Sequence, residues 1–193
     1  MIIVIDNYDS FTYNLVQYFG SLNSRIKVYK NDQITIDKIK SDNPKGIVIS
    51  PGPGRPEDSG VSISVIKYFF KHIPILGICL GHQAISLAFN GDISNSGEIM
   101  HGKTSLIKHT GSLIFKGIPK EFFATRYHSL VTLKNNFPND LIITSTTDSG
   151  LIMSLEHKKF PVFGIQFHPE SIMTEYGMEI IKNFLDIVDL KGK

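Results

Sequence analysis

The stretch "PILGICLGHQAI", Pro74 to Ile85, holds the only cysteine of the chain, Cys79, within Gly77-Ile78-Cys79-Leu80-Gly81. An apolar run of strand character ends there, and a run with helical spacing begins. A Gly-x-nucleophile-x-Gly pattern between strand and helix describes a nucleophile elbow. The turn is tight, and flanking glycines remove the Cβ atoms that would clash. The side chain then projects at a helix N-terminus, whose positive end favours thiolate over thiol. A lone cysteine is equally a small buried apolar residue. From this segment alone the two readings stand level.

Outward from Cys79 the chain alternates between two textures. "IIVID" (2–6) reads as a buried strand, and "IKVYK" (26–30), "GIVIS" (46–50) and "PILGI" (74–78) as further strands. "TYNLVQYFGSL" (12–22), "IDKIK" (36–40), "SGVSISVIKYFFKH" (59–72) and "LGHQAISLAF" (80–89) read as helices. The alternation predicts an α/β fold, an open, mostly parallel sheet with helices on both faces. After about residue 92, "TSLIKH", "SLIFKG", "FFATRYHSLVTL", "DLIITSTT" and "LIMSLEH" are strand-like pieces separated by turn residues. They predict antiparallel additions to the same sheet. "PVFGIQFHPES" (161–171) returns to a buried strand, and "GMEIIKNFLDIV" (177–188) closes the chain as an amphipathic helix. Without a repeat, linker or low-complexity stretch, one domain is expected over residues 1–193.

Composition narrows the function classes. Lys+Arg minus Asp+Glu is 20 − 18 = +2, and the charges are scattered, so no basic block points to nucleic acid. No stretch approaches the ~20 apolar residues of a membrane helix, and the N-terminal apolar run is too short for a signal peptide. A single cysteine cannot form an internal disulfide, which suits a reducing compartment. A soluble, cytoplasmic protein is expected, or a stromal one if the chain is plastid-encoded. No metal site is expected, because His-x-x-x-His and paired-cysteine spacings are lacking. Neither a GxGxxG nor a phosphate-loop pattern supports nucleotide use.

In open parallel sheets, ligands bind at the carboxyl ends of the strands. Four segments fall at such ends: "DNYDSFT" (6–12), "SPGPGRPEDSG" (50–60), "CLGH" (79–82) and "HPES" (168–171). A cysteine nucleophile needs a base, and the base needs an orienting group. Of the seven histidines, His168 follows an apolar strand and has Glu170 two residues on. Pro169 favours extended backbone at His168, and residues two apart in an extended segment share a side. Glu170 would then accept a proton from one ring nitrogen while the other faces sulfur. By itself the pair also reads as a surface His beside a Glu. Acyl chemistry further needs oxyanion donors. The backbone N–H of Leu80 follows the nucleophile, and Gly52 and Gly54 in "SPGPG" bring amides close to a ligand, although Pro-Gly pairs are ordinary turn material.

Together "DNYDSFTYNLVQYF", "SPGPGRPEDSG", "PILGICLGHQAI", "MHGKTS", "RYHSLV" and "GIQFHPESI" resemble the class I (triad) glutamine amidotransferases. The closest likeness is to the small glutaminase subunits of anthranilate synthase and aminodeoxychorismate synthase, and it spans roughly residues 1–188. The resemblance implies a flavodoxin-like fold. It implies that Cys79 attacks the side-chain amide of L-glutamine, that His168 serves as base and then acid, and that Glu170 orients it. It places oxyanion amides at Gly54 and Leu80, and glutamine contacts at Gly52, Pro53, Gly54, Leu80, Gln83, Ser129 and Leu130. Ammonia would pass to a large chorismate-binding subunit, which in this family uses Mg2+, while the small subunit has no cofactor. "MHGKTS" and "RYHSLV" are expected to form part of the partner surface. Asn90 in "AFNGDIS" departs from a common glycine, at a helix end where Asn tolerates left-handed geometry. Two other readings remain: a stand-alone γ-glutamyl thiol hydrolase, and a silent subunit that only stabilises its partner. The subfamily loops weigh against the first, and the intact Cys79, His168 and Glu170 against the second.

Overall fold

The computed structural model describes residues 1–22, 24–97 and 99–191. The first half alternates β1 (Ile2–Asp6), α1 (Thr12–Ser21), β2 (Ile26–Lys30), α2 (Ile36–Asp42), β3 (Gly46–Ile49), α3 (Ser62–Phe69), β4 (Ile75–Ile78) and α4 (Leu80–Ala88). Then follow β5 (Ile93–Asn95), β6 (Lys103–His109), β7 (Glu121–Arg126), β8 (Leu130–Thr132), β9 (Leu141–Thr146), β10 (Ile152–His157), β11 (Val162–Ile165) and α5 (Gly177–Lys191). The large sheet has the order β2-β1-β3-β4-β11-β10-β9-β6-β7. Strands β2, β1, β3, β4 and β11 are mutually parallel, and the strands beyond β11 are antiparallel.

The continuous apolar runs follow from this placement, since a parallel strand with helices on both faces has no solvent side. Within β1, Val4 joins Leu15 and Phe19 of α1 and Ile181 and Phe184 of α5 on one face. Ile3 and Ile5 join Ile39 of α2, Val65 and Ile66 of α3, and Ala84 and Ile85 of α4 on the other. Period-two alternation sorts one run of sequence between two cores. Each such side chain, fully buried, contributes about 1.5–3 kcal/mol relative to exposure.

Three expectations change. "SLIFKG" is a 3₁₀ turn, Leu113–Phe115, rather than a strand; Ser112 Oγ accepts from the Ile114 amide at 3.4 Å and turns the chain. "FFATRYHSLVTL" breaks into β7 and β8, and β8 pairs with β5 in a separate two-stranded sheet, so not every antiparallel strand joins the main one. β11 ends at Ile165, and His168 to Ser171 form a turn closed by Ser171 N–H to the His168 carbonyl at 3.3 Å. The turn residues Pro169 and Glu170 take over from the extended geometry expected there. Asn90 adopts the left-handed conformation, φ 68°, at the end of α4.

Asp6, at the carboxyl end of β1, is fully buried and accepts from Lys30 Nζ at 2.5 Å, Thr12 Oγ1 at 3.0 Å and the Asp9 amide at 3.2 Å. Burial pushes its pKa up, but the Lys30, Thr12 and Asp9 hydrogen bonds outweigh it and hold the carboxyl below its usual range. A depressed folded pKa means that this stabilisation is present above the unfolded value of ~3.9 and is lost as pH falls through the folded one. Lys30→Met should therefore cost about 1–2 kcal/mol at pH 7 in urea unfolding, Lys30 being a third exposed. The difference from wild type should narrow towards pH 3.

Candidate active site

The sheet order explains why the four chemistry-bearing segments meet. β1, β3, β4 and β11 are consecutive and parallel, so residues 6–12, 50–60, 79–82 and 166–171 leave one edge side by side. The register pairs Ile78 with Ile165, which puts Cys79 level with Gln166. Gln166 Nε2 lies 3.6 Å from Cys79 Sγ, and the Cys79 amide donates to the Ile165 carbonyl at 2.8 Å.

Cys79 has φ 51° and ψ −101° and stands immediately before α4. A positive φ at a residue with a Cβ is a strained conformation, costing of order 1–3 kcal/mol and maintained only by its surroundings. Here the surroundings are glycine. A Cβ at Gly81 would fall on the Ile49 carbonyl, and one at Gly77 on the Gly81 backbone. Gly52 plays the same part in the neighbouring loop: a Cβ there would lie 2.5 Å from Asn7 Cβ and 2.7 Å from Leu80 Cδ2. Asn7 fixes that loop, its amide donating to Ser50 Oγ and its side chain to the Ser50 carbonyl, both at 2.9 Å.

A cleft of about 180 Å3 is lined by Gly52, Pro53, Gly54, Cys79, Leu80, Gln83, Tyr127, His128, Ser129 and Leu130. All seven positions that the resemblance associated with glutamine border it. Two larger hollows, of about 540 and 520 Å3, open at the opposite end of the strands and contain neither Cys79 nor His168. Size is the poorer guide here, because of these three it is the small cleft that meets the thiol.

His168 and Glu170 are both 2% exposed and lie behind the cleft. Nδ1 of His168 and Oε1 of Glu170 are 2.6 Å apart, which leaves Nε2 available to the Cys79 sulfur. The turn delivers the contact expected from an extended chain, by folding Glu170 back under the ring. Its backbone is pinned from β7, for the His168 amide donates to the Thr125 carbonyl at 2.9 Å and Thr174 Oγ1 to the His168 carbonyl at 2.6 Å. Burial opposes the charged imidazole, but the Glu170 carboxylate and the Cys79 sulfur prevail and hold the His168 pKa well above its ordinary value.

Several contributors escaped the sequence reading. Gln83 Nε2 donates to the Leu130 carbonyl and to Gln166 Oε1, both at 3.1 Å, so Gln166 links Gln83 to Cys79. The only hint was its position one residue past an apolar strand. His128 Nδ1 is 3.0 Å from the Leu130 carbonyl, and Arg126 Nε donates to its Nε2 at 2.9 Å. A carbonyl only accepts and a guanidinium only donates, so these partners assign the neutral Nδ1–H tautomer. Burial and the Arg126 charge push the His128 pKa down to about 3, in agreement. His82, beside Cys79 in sequence, does not line the cleft; it lies 3.1 Å from Thr132 Oγ1, and burial lowers its pKa to about 4. Among the described residues, no group of three or more His, Cys, Asp or Glu is placed to hold a metal ion.

A strained cysteine before a helix, a buried His–Glu pair behind it and a small cleft in front define a thiol acyl-transfer site on a doubly wound α/β sheet. The Glutamine amidotransferase class-I family matches residues 3–188, and the chain belongs to that family. It is 54% identical over its full length to the "Bifunctional protein TrpGD" of Thermotoga maritima, of which it spans 33%. It is 52% identical to the "Anthranilate synthase component 2" of Cyanophora paradoxa, with 98% of this chain and 100% of that one covered. The "Aminodeoxychorismate/anthranilate synthase component 2" of Bacillus subtilis is 50% identical, with 96% of each chain covered. A solved Thermoplasma acidophilum structure, assigned as one of the subunits of GMP synthase, superposes with a TM-score of 0.86 at 26% identity, over 98% of this chain and 94% of that one.

Proposed function

We propose that the chain is the glutaminase subunit of anthranilate synthase, hydrolysing L-glutamine and delivering ammonia to a large subunit that aminates chorismate. The observation that carries this is Cys79 on its positive-φ elbow with the buried His168–Glu170 pair behind it. In this reading Cys79 gives its thiol proton to His168, the thiolate Sγ attacks the Cδ of the glutamine side chain, and the amide oxygen becomes an oxyanion facing the Leu80 and Gly54 amides. Collapse breaks the C–N bond; His168 gives its proton to the departing nitrogen, which leaves as ammonia. Neutral His168 then takes a proton from water, hydroxide attacks the γ-glutamyl thioester, and glutamate leaves as Cys79 regains its starting form. Gly52, Pro53, Gln83, Ser129 and Leu130 contact the substrate. Every group this route uses comes from the chain itself.

Acid quench during glutamine turnover, followed by peptide mass analysis, tests the reading. A γ-glutamyl adduct is expected on the peptide carrying Cys79, and an adduct on another residue, or none at any time, overturns it. The name of the Bacillus subtilis relative favours a second reading, in which the same chain also serves aminodeoxychorismate synthase. Co-purification with each large subunit, assaying both products, separates one partner from two.

Glu170 acts through His168 and should matter less than the base itself. Glu170→Gln is expected to lower glutamine kcat/KM by about 10–100-fold, and His168→Ala by a further tenfold or more. Removing the carboxylate also removes the leading cause of the raised His168 pKa. The alkaline limb of the pH profile should therefore move to lower pH in Glu170→Gln, and an unmoved limb would contradict the orienting role.

A further inference from the structure

Two segments, "DNYDSFT" and "RYHSLV", each pack a ring against the His168 imidazole, and "MHGKTS" packs one against Tyr127. Phe11 meets His168 edge-on, with ring centroids 5.8 Å apart at 69°. Tyr127 meets the same imidazole at 5.1 Å and 76°, and Phe11 and Tyr127 touch each other at 5.2 Å. His101 also packs against Tyr127, at 5.3 Å and 86°. Neighbouring Gly102, at φ 67°, packs beside the phenol.

Both inner rings are themselves fixed. The Phe11 amide donates to Asp9 Oδ1 at 2.7 Å, and the Asp9 amide donates to the buried Asp6 carboxylate. Tyr127 is flanked by the locked Arg126–His128 pair, and its carbonyl lies 3.9 Å from Cys79 Sγ. The Glu170 hydrogen bond holds Nδ1, but it does not by itself set the tilt of the imidazole about that contact. The last torsion of histidine is broad and roughly two-fold, so packing must choose the angle.

We infer that Phe11 and Tyr127 are positioning residues, an aromatic clamp that aims His168 Nε2 at the Cys79 sulfur, with His101 at its outer end. The inference rests on the catalytic role proposed for His168. It also makes the alignment sensitive to a partner that docks on residues 8–12 and 100–103, because those loops carry the clamp. The charged and titratable groups near the imidazole are Cys79, Glu170, Asp9, His128 and the Tyr127 phenol. A change at Phe11 leaves each of these groups in the chain.

The test uses the full chain, bound to its large partner, in the variants Phe11→Ala, Phe11→Leu and Phe11→Tyr. Phe11→Ala is expected to lower glutamine kcat about tenfold, misalignment being costly in rate, with KM changed less than twofold. Phe11→Leu, which keeps bulk without a ring edge, should resemble Ala, and Phe11→Tyr should restore kcat. The pH dependence of Cys79 alkylation by iodoacetamide, read without glutamine, should shift in Ala and Leu and return in Tyr. Unchanged alkylation profiles, or a rise in KM at constant kcat, would overturn the clamp. If Phe11→Ala does not fold, the Leu and Tyr variants carry the same comparison. A wild-type chain that alkylates at Cys79 but forms no γ-glutamyl adduct would sink the glutaminase reading while leaving the clamp measurable.

Discussion

Cys79→Ala is expected to lose glutamine-dependent product by at least about 10³-fold, while ammonium-dependent product made with the large subunit stays within twofold of wild type. The first half of that expectation follows from the absence of a substitute nucleophile: Cys79 is the only cysteine, and the Gln166 side chain 3.6 Å from its sulfur is an amide, which is no nucleophile. The second half follows from packing. Alanine keeps the Cβ, and the backbone remains tied by its amide to the Ile165 carbonyl. The docking surface of the chain therefore survives, and added ammonia bypasses the missing step. Equal loss on both nitrogen sources would show that Cys79 serves the assembly rather than the chemistry. A companion variant isolates the strain. At φ 51° glycine is easier than alanine by about 1 kcal/mol, so Cys79→Gly should be more stable than Cys79→Ala by that amount and equally inactive.

The parallel half of the fold was legible because β1, β3 and β4 are buried on both faces and each helix shows one apolar side, while the edge strand β2 is only partly buried. Residues 2–6, 46–49 and 75–78 carry that information locally. The antiparallel half was less legible for a physical reason: its pieces are half-buried, and nothing local distinguishes a strand from an apolar turn. "SLIFKG" has strand-forming residues, but Ser112 captures the Ile114 amide and turns the chain. Where β7 and β8 separate, Arg126 and His128 bond each other across Tyr127, which no periodicity reports. At the site, Cys79, His168 and Glu170 were readable because covalent chemistry demands particular side chains at particular spacing. Gln166, Phe11 and Tyr127 were not, since amide and aromatic contacts are set by register and loop path rather than by residue type. Glu170 shows the limit within a success. Its contact with His168 was anticipated, but a turn makes it.

Gly81→Ala should be among the most damaging single-methyl changes available in this chain. In an exposed helix the same change stabilises by up to ~1 kcal/mol, because alanine is the better helix former. Here the sign reverses. A Cβ on Gly81 would fall on the Ile49 carbonyl, with the Ile49 carbon and Cβ both at 3.1 Å, and these atoms belong to the fully buried β3. The helix cannot yield sideways either. Gly77 lies beneath Gly81, and Gly164, its register partner in β11, lies beneath His82, so α4 rests on a floor of glycines at close range. Relief requires lifting the N-terminal turn of α4, which carries the Leu80 amide and the Cys79 elbow. Overpacking of this kind costs about 2–3 kcal/mol in urea unfolding, and even a ~1 Å displacement of the elbow should lower glutamine kcat/KM at least 100-fold. The control is Gly20→Ala in α1, where nothing lies within 4 Å of the added methyl. That variant should match or slightly exceed wild-type stability and keep full activity. If Gly81→Ala behaves like Gly20→Ala, α4 does not need the glycine floor, and the elbow is held by something other than the close approach of helix and sheet.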